Sequence, residues 1–445
     1  MLNLFARWVK NRDANVAMIF ALSAVPITFL TGMGVDYTLA IDRQVQLNGA
    51  SDAAVLAAIT PNMMTQTPDV AIQAAKDTFN AQAANVAGAT YQPSALNVVV
   101  TTSGSKRVVT LSYTAQSKNT FASLLKMNTI AISGGAQGTG GMAPNIDFYL
   151  LLDDSPSMAI AATQAGINTM VANTTAQGGC AFGCHQSDPA YDKLGNPNNE
   201  DNYALAKALG VTLRIDLLRD AAQNLMSTAQ STESTTKASY RMALYTFDTG
   251  FNTIQTLTSS LSTAKTQAGN IQLLEVYRNN MLTSSNSNND TDTNYEAAMS
   301  GINTAMPNPG SGTSTAGDNP QEVLFIVTDG VEDECVTPTL NAYSGGGCRQ
   351  QYFMNANTDW CTKIKNRGIR IAVLYTEYLP LPTNAWYVNF QGLGSGISSI
   401  QSKIAPALQA CASPGLYYMV QTGGDISAAL TTLFQYSVQS AYLSQ

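Results

Sequence analysis

The sequence predicts an α/β protein: a doubly wound, mostly parallel sheet, preceded by an N-terminal transmembrane helix and a small α+β module. Three observations predict this. From residue 144 onward, apolar runs of strand length alternate with longer helical patterns, as in a parallel sheet covered on both faces. Val16 to Val35 is an uncharged run of 20 residues, about what a helix needs to cross a bilayer. Between the two, Leu96–Val100 and Val108–Tyr113 flank Gly104-Ser105-Lys106 and read as a hairpin.

The elements follow in order. Residues 1–15 carry Arg7, Lys10 and Arg12 against Asp13, which puts them in the cytoplasm and the chain after residue 35 outside. Pro26, Gly32 and Gly34 are tolerable within a membrane helix. The rival reading is a cleaved signal peptide with small residues near Ala21-Leu22-Ser23-Ala24, but the apolar run is long for a signal core. The helical pattern runs on through Tyr37–Ala58, where Ile41, Val45, Leu47, Val55 and Leu56 mix with Asp42, Arg43, Gln44 and Gln46. One helix from Val16 to Ala58 would be about 64 Å long at 1.5 Å per residue. Val70–Ala87 reads as a second helix and Thr129–Ser133 as a further strand, which completes a module over residues 36–133. Residues 134–143, opening Gly134-Gly135-Ala136-Gln137-Gly138, read as a flexible Gly-rich linker.

Residues 144–445 form the main domain. Its expected strands are Ile146–Leu152, Tyr240–Phe247, Glu322–Val327, Ile369–Tyr375 and Leu416–Val420. The helices are Tyr203–Ala229, Tyr295–Met306, Thr358–Asn366 and Ile426–Tyr442. Residues 159–202 and 331–357 are insertions. Only 12% of the 445 residues are charged and the net charge is −7, which argues against nucleic-acid binding. Ser, Thr, Asn, Gln and Gly solvate the surface instead, as in many exported proteins.

One motif carries chemistry. Asp153, Ser155 and Ser157 form a D-x-S-x-S run where the strand Ile146–Leu152 opens into a loop. Alternate residues of an extended segment project the same way, so one turn can aim all three groups at one point. They are hard oxygen donors, suited to Mg²⁺, Mn²⁺ or Ca²⁺ rather than zinc. Thr293 precedes the helix Tyr295–Met306, and Asp329 follows the strand Glu322–Val327. Ligands of such sheets bind outside the C-terminal ends of strands. Taken singly, each is equally an ordinary cap or turn; together, three signals at three matching junctions favour a metal site.

The six cysteines, Cys180, Cys184, Cys335, Cys348, Cys361 and Cys411, all lie in the second part of the chain. A structural zinc site needs four ligands, and His185 is the lone histidine. An exported location favours disulfides. Cys180–Cys184, Cys335–Cys348 and Cys361–Cys411 are the natural candidates, and spacing alone leaves the connectivity open. No catalytic set stands out: there is no Gly-x-Ser-x-Gly and no phosphate loop. A metal-dependent hydrolase is therefore a weak alternative, and the chain is read as a non-enzyme.

Two resemblances add to this reading. Arg12-Asp-Ala-Asn-Val-Ala-Met-Ile-Phe-Ala-Leu22, Gly34-Val-Asp-Tyr37 and Gln46-Leu-Asn-Gly-Ala-Ser-Asp-Ala-Ala-Val-Leu-Ala-Ala58 resemble the N-terminal segment of the Tad (tight adherence) family of Flp-pilus components, TadG-like. Processed pilins carry a Glu soon after their cleavage point, and this chain has no Glu before Glu200, so an uncleaved anchor is expected. Residues 144–435 resemble the von Willebrand factor A domain. Its metal-ion-dependent adhesion site matches Asp153, Ser155, Ser157, Thr293 and Asp329 in type and order. The resemblance implies a divalent cation, Mg²⁺ first, and a protein or surface ligand that offers it an acidic group. Other Tad pilus components and the cytoplasmic membrane, through residues 16–35, are the further expected partners. The implied role is surface adhesion or pilus assembly by a single-pass inner-membrane protein whose C-terminal domain is periplasmic or extracellular. A structural pilus subunit without an adhesive role is the alternative.

Overall fold

A computed structural model describes residues 12–181, 196–197, 200–275, 293–313, 316–333, 351–352, 359–378, 380–382, 384–388, 396–421 and 424–443, with backbone alone at 12–15, 351–352, 385–386 and 442–443. The chain divides into two compact units, Met1–Met142 and Ala143–Gln445.

The first unit is built on one helix, Arg12–Ala58, of 47 residues, about 70 Å at 1.5 Å per residue. Its first half is apolar and outward-facing, with Ile19, Phe20, Leu22 and Leu30 each about two-thirds exposed or more. The hydroxyls there turn back on the helix: Ser23 donates to the carbonyl of Ile19 at 2.7 Å and Thr28 to that of Ala24 at 2.7 Å. Such back-bonding removes polar groups from an apolar surrounding. The second half buries Ala40, Leu47, Ala50, Ala54 and Ala58. Small side chains on that stripe let the helix lie close to the helix Pro68–Ala83 and to a four-stranded antiparallel sheet.

That sheet contains β1 (Ala89–Thr90), β2 (Leu96–Ser103), β3 (Lys106–Lys118) and β4 (Thr129–Gly141). The expected hairpin is β2–β3, turning at Gly104 with φ +57°. The expected linker is not one. Residues 134–141 continue β4, paired with β3 from Thr129↔Lys118 to Gly141↔Lys106. The glycines serve close approach, not flexibility. A Cβ on Gly134 would meet Asn48 Oδ1 at 2.0 Å, on Gly138 Val55 Cγ1 at 2.5 Å, and on Gly140 Ile59 Cβ at 2.7 Å. Alternate positions of the strand thus give the helix its seat.

Arg43 and Arg107 tie the unit together. Arg43 donates to the carbonyls of Ala87 and Lys118 and to the Ser117 hydroxyl, at 2.7–3.0 Å. Arg107 is buried, and its guanidinium donates to the carbonyls of Met63 and Gln66 at 2.5 and 2.7 Å.

The second unit is a six-stranded sheet in the order β12-β11-β8-β5-β6-β7. These are β5 (Ile146–Asp153), β6 (Tyr240–Phe247), β7 (Phe251–Thr258), β8 (Gln321–Thr328), β11 (Arg370–Thr376) and β12 (Tyr417–Val420). A short antiparallel pair, β9 (Val331–Glu332) and β10 (Gln351–Tyr352), stands apart. All pairings in the large sheet are parallel except β6–β7. Every residue of β5 is buried, which is why it reads as an unbroken apolar run rather than an alternating one.

Helices Arg214–Thr236, Leu261–Ala268 and Ile426–Leu443 pack together over the sheet. Helices Tyr295–Ala305 and Trp360–Asn366 pack together, and Gln401–Cys411 is tied to Trp360–Asn366 by the Cys361–Cys411 disulfide. That pairing is the expected one. Cys180 is also disulfide-bonded; the expected pairings of Cys184, Cys335 and Cys348, and the neighbourhood of His185, lie outside the described residues. The expected long helix Tyr203–Ala229 is two helices. Gly210, at φ +68°, ends Asn202–Ala208, and Arg214–Thr236 starts afresh with Asp216 accepting the Leu213 amide at 3.0 Å.

Candidate metal centre

Numbered within the second unit, the sheet order reads 3-2-1-4-5-6, with β5 as strand 1 and β8 as strand 4. Connections leave these two neighbours in opposite directions, so the topological switch point, where ligands of such sheets bind, lies between their C-terminal ends. Asp153 closes β5 and Asp329 follows β8, both with no exposed surface. The fold therefore brings together two carboxylates that lie 176 positions apart in sequence, counted from 153 to 329.

Local geometry then orients the D-x-S-x-S run. Ser155 has an extended backbone and precedes a 3₁₀ turn, Pro156–Ala159. Asp153 Oδ1 accepts from the Ser155 amide at 3.1 Å and from its hydroxyl at 2.6 Å. The Ser155 and Ser157 hydroxyl oxygens lie 3.0 Å apart. Asp153 Oδ2 accepts from the Thr328 hydroxyl at 2.6 Å. That commits the Thr328 proton, so the buried Tyr295 hydroxyl, 2.5 Å away, donates to Thr328. A relay Tyr295–Thr328–Asp153 thus holds the carboxylate from behind.

Asp329 is held on both oxygens. Oδ1 accepts from the Val331 amide at 3.2 Å, and Oδ2 lies 3.4 Å from Nη1 of Arg214. Arg214 is itself 4% exposed, donates to the Glu377 carbonyl at 2.6 Å and stacks its guanidinium on Tyr378. Thr293 is buried; its carbonyl accepts from the Asp333 amide at 3.0 Å, and the next amide, of Asn294, donates to the Asp248 carbonyl at 2.7 Å. Thr293 is thereby anchored to the segment that follows Asp329 and to the end of β6. Asn294 caps its helix through the Ala297 amide at 2.8 Å.

Burial first, and then the Asp329 charge, push the Asp153 carboxyl up to about 7. Asp329 is also raised by burial, with Arg214 pulling it back. The neighbouring Asp154 is raised well above the carboxylate range, by burial and then by the Asp248 charge. It is 6% exposed, and its Oδ1 accepts no hydrogen bond among the described residues. Two buried carboxylates that repel each other, with two hydroxyls beside them, are the donor chemistry a hard divalent cation satisfies. Among the described residues no cluster of three or more His, Cys, Asp or Glu side chains has metal-holding geometry; the site here counts two carboxylates and relies on hydroxyls for the rest.

Sequence reasoning missed Arg214, Thr328 and Tyr295. Thr328 and Tyr295 each adjoin a chosen residue, or one beyond it, so proximity in sequence was a usable signal. Arg214 had none, because it reaches Asp329 across 115 positions.

Comparison with known proteins bears on the other end of the chain. Residues 14–77 match the Tad family, described as Flp pilus-assembly, TadE/G-like. The N-terminal segment is TadE/G-like. The match takes in the whole apolar half of the long helix, its packed half and most of the helix Pro68–Ala83. That apolar half is also the single candidate membrane span among the described residues, and the TadE/G-like segment anchors the chain in a membrane.

No curated protein matches the chain. Similar solved structures include the conserved hypothetical protein BatB from Bacteroides thetaiotaomicron, at 12% identity over 66% of this chain and 100% of that one, TM-score 0.34. Another is the vWF domain of the type V pili tip protein Mfa5 from Porphyromonas gingivalis, at 8% identity, 68% and 97% coverage, TM-score 0.34. A third is the PilB minor pilin from Streptococcus sanguinis, at 12% identity, 78% coverage of each chain, TM-score 0.34. At such scores these likenesses say nothing about what this chain binds.

Proposed function

We propose that this protein is a membrane-anchored, metal-dependent binding component of the Tad/Flp pilus system, acting in surface adhesion or pilus assembly. One observation carries the reading. At the switch point of the large sheet, two fully buried carboxylates, Asp153 and Asp329, converge with the Ser155 and Ser157 hydroxyls. Asp153, Ser155, Ser157, Thr293 and Asp329 would hold the ion, with Mg²⁺ favoured over Mn²⁺ or Ca²⁺. A bound ion would supply Lewis-acid attraction for an acidic group of a protein or surface ligand. The chain's own part is to orient the donors: Thr328 and Tyr295 fix the Asp153 carboxylate, and Arg214 fixes Asp329. We read the site as a binding site rather than a catalytic one, since none of these residues is placed as a general base toward an open face.

The basic N-terminus before the span supports an inside-to-outside orientation. The Cys361–Cys411 disulfide supports an oxidising compartment for the second unit. A second reading is favoured by Arg214, which already sets a guanidinium beside Asp329: the network serves fold alone and the protein is a structural pilus subunit. The test compares piliation and surface adherence for the wild type and for Asp153→Ala, each in Mg²⁺ and in chelator. Adherence lost while pili remain, in the variant and in chelator alike, supports adhesion. Loss of pili points to assembly. Adherence that survives chelator removes the metal from the account.

A further inference from the structure

The geometry points to a second membrane contact: residues 119–128 form an apolar foot that rests in the bilayer interface beside the long helix. The inference rests on reading Val16–Val35 as the membrane span. Asp36 is the first charged residue after that span. It is 1% exposed and accepts the amides of Thr120 at 2.7 Å, Phe121 at 3.0 Å and Ala122 at 2.7 Å. Three amide donors on one carboxylate fasten the segment to the helix at the level where the span ends.

From there the segment reaches back along the helix, not away from it. The Phe121 side chain lies over Gly32, where an added Cβ would come within 2.6 Å of its Cβ and Cγ and 2.9 Å of Cδ1. Gly32 is four residues inside the span from Asp36, about 6 Å deeper at 1.5 Å per residue. That depth matches the 5–10 Å or so to which interfacial segments bury their apolar faces. Gly32 is thus the one glycine of the span whose missing side chain admits a neighbour; Gly34 faces open space.

The segment's composition suits lipid. Phe121, Leu124, Leu125 and Met127 are exposed by 39, 74, 51 and 51%. Four large apolar side chains laid bare within seven residues make a patch of a kind soluble surfaces rarely carry. On the helix face that carries Gly32, seven residues before it and three after, Val25 and Val35 are also bare, at 59 and 44%. Lys126 sits among them in a left-handed conformation, φ 63°, which closes the 3₁₀ turn Ala122–Leu125. Lys126 and Lys118 are both exposed, and lysines at such a level can offer their ammonium to lipid phosphates while their carbon stems cover apolar surface. Tyr37, 60% exposed one residue past Asp36, adds an aromatic ring at the same level. The occupant is the bilayer rather than a protein, because the patch continues a surface the chain already gives to lipid.

The test uses the full chain in vesicles of phosphatidylcholine and phosphatidylglycerol whose acyl chains carry bromine. Single cysteines at Ile27→Cys, Leu124→Cys and Ser103→Cys are labelled with a small fluorophore; among the described residues no native cysteine is free. Ile27 lies in the span, and Ser103 is exposed at the opposite end of the sheet from residues 119–128. The expected result is lipid quenching at 27 and 124, the latter roughly twofold or more above 103, which responds only to aqueous iodide. Quenching at 27 with 124 behaving like 103 overturns the foot and leaves the span. A label at 124 shielded from both quenchers means protein covers the patch, and also overturns it. A label at 27 that lipid does not reach removes the span and the foot together.

Discussion

The two sheets of this protein solve burial in opposite ways. In the first unit β3 alternates buried and exposed residues along almost its whole length, because a helical layer covers one face only. In the second, β5 is buried at every position, with helices on both faces. Their buried acids differ in the same sense. Asp36, in the first unit, is satisfied by three backbone amides. Asp153 and Asp329, in the second, face each other's charge and lean on hydroxyls and a guanidinium. The first arrangement is a clasp that asks for nothing more. The second leaves two buried carboxylates repelling each other, a repulsion that a cation would relieve, and that is the physical reason to look for function there.

The contrast can be broken from either side. The largest effect is expected at Phe148, which is fully buried and within 6 Å, ring to ring, of Tyr240, Phe325 and Phe434. Phe148→Ala should cost about 3–5 kcal/mol in the denaturant transition of the second unit, with the first unit's transition unmoved. A smaller loss, about 1–3 kcal/mol, is expected in the first unit for Gly138→Val, because the new side chain enters the space of Val55. Gln137→Val, one position along on the exposed face, should stay within about 0.5 kcal/mol. Equal losses for the two would show that β4 does not seat the helix through its glycines.

A third prediction concerns the N-terminal end of the central strands of the large sheet, away from the candidate site. Glu322 is 1% exposed, neither carboxyl oxygen meets a donor among the described residues, and its pKa is pushed up to about 9. Burial is the main cause, then the charge of Asp147, its register partner on β5; Arg241, which ion-pairs Asp147, pulls the other way. The folded state therefore holds a proton that the unfolded chain has released, so the stabilising effect is complete at low pH and declines as pH rises toward about 9. Glu322→Gln should flatten that decline, whose slope is at most about 1.4 kcal/mol per pH unit. An unchanged slope in urea titrations across pH 5–9 would place the buried proton elsewhere.

Much of this was legible in the sequence, for identifiable reasons. The run Phe148–Leu152 ending in Asp153 announced a buried strand that opens into a polar loop, and the same logic found Asp329 after β8. Val16–Val35 was legible because a charge-free stretch of that length has few other uses. Gly134–Gly141 was misread because glycine content signals flexibility until a helix is known to lie across it; its period-two spacing was the overlooked sign. Strand β7 was passed over because an edge strand, half exposed and only weakly alternating, resembles loop sequence. The break at Gly210 was hidden inside a helical period. Arg214 could not be found at all, since its meaning depends on a contact made only when the sheet has formed.

The most direct test of the central claim is a Mg²⁺ titration of the full chain, read as the shift in melting temperature of the second unit, beside the Ser155→Ala/Ser157→Ala double variant. The account predicts a saturable rise in the wild type, reversed by chelator and lost in the variant. A wild type whose melting temperature ignores Mg²⁺, or a variant that rises with it equally, would contradict the account.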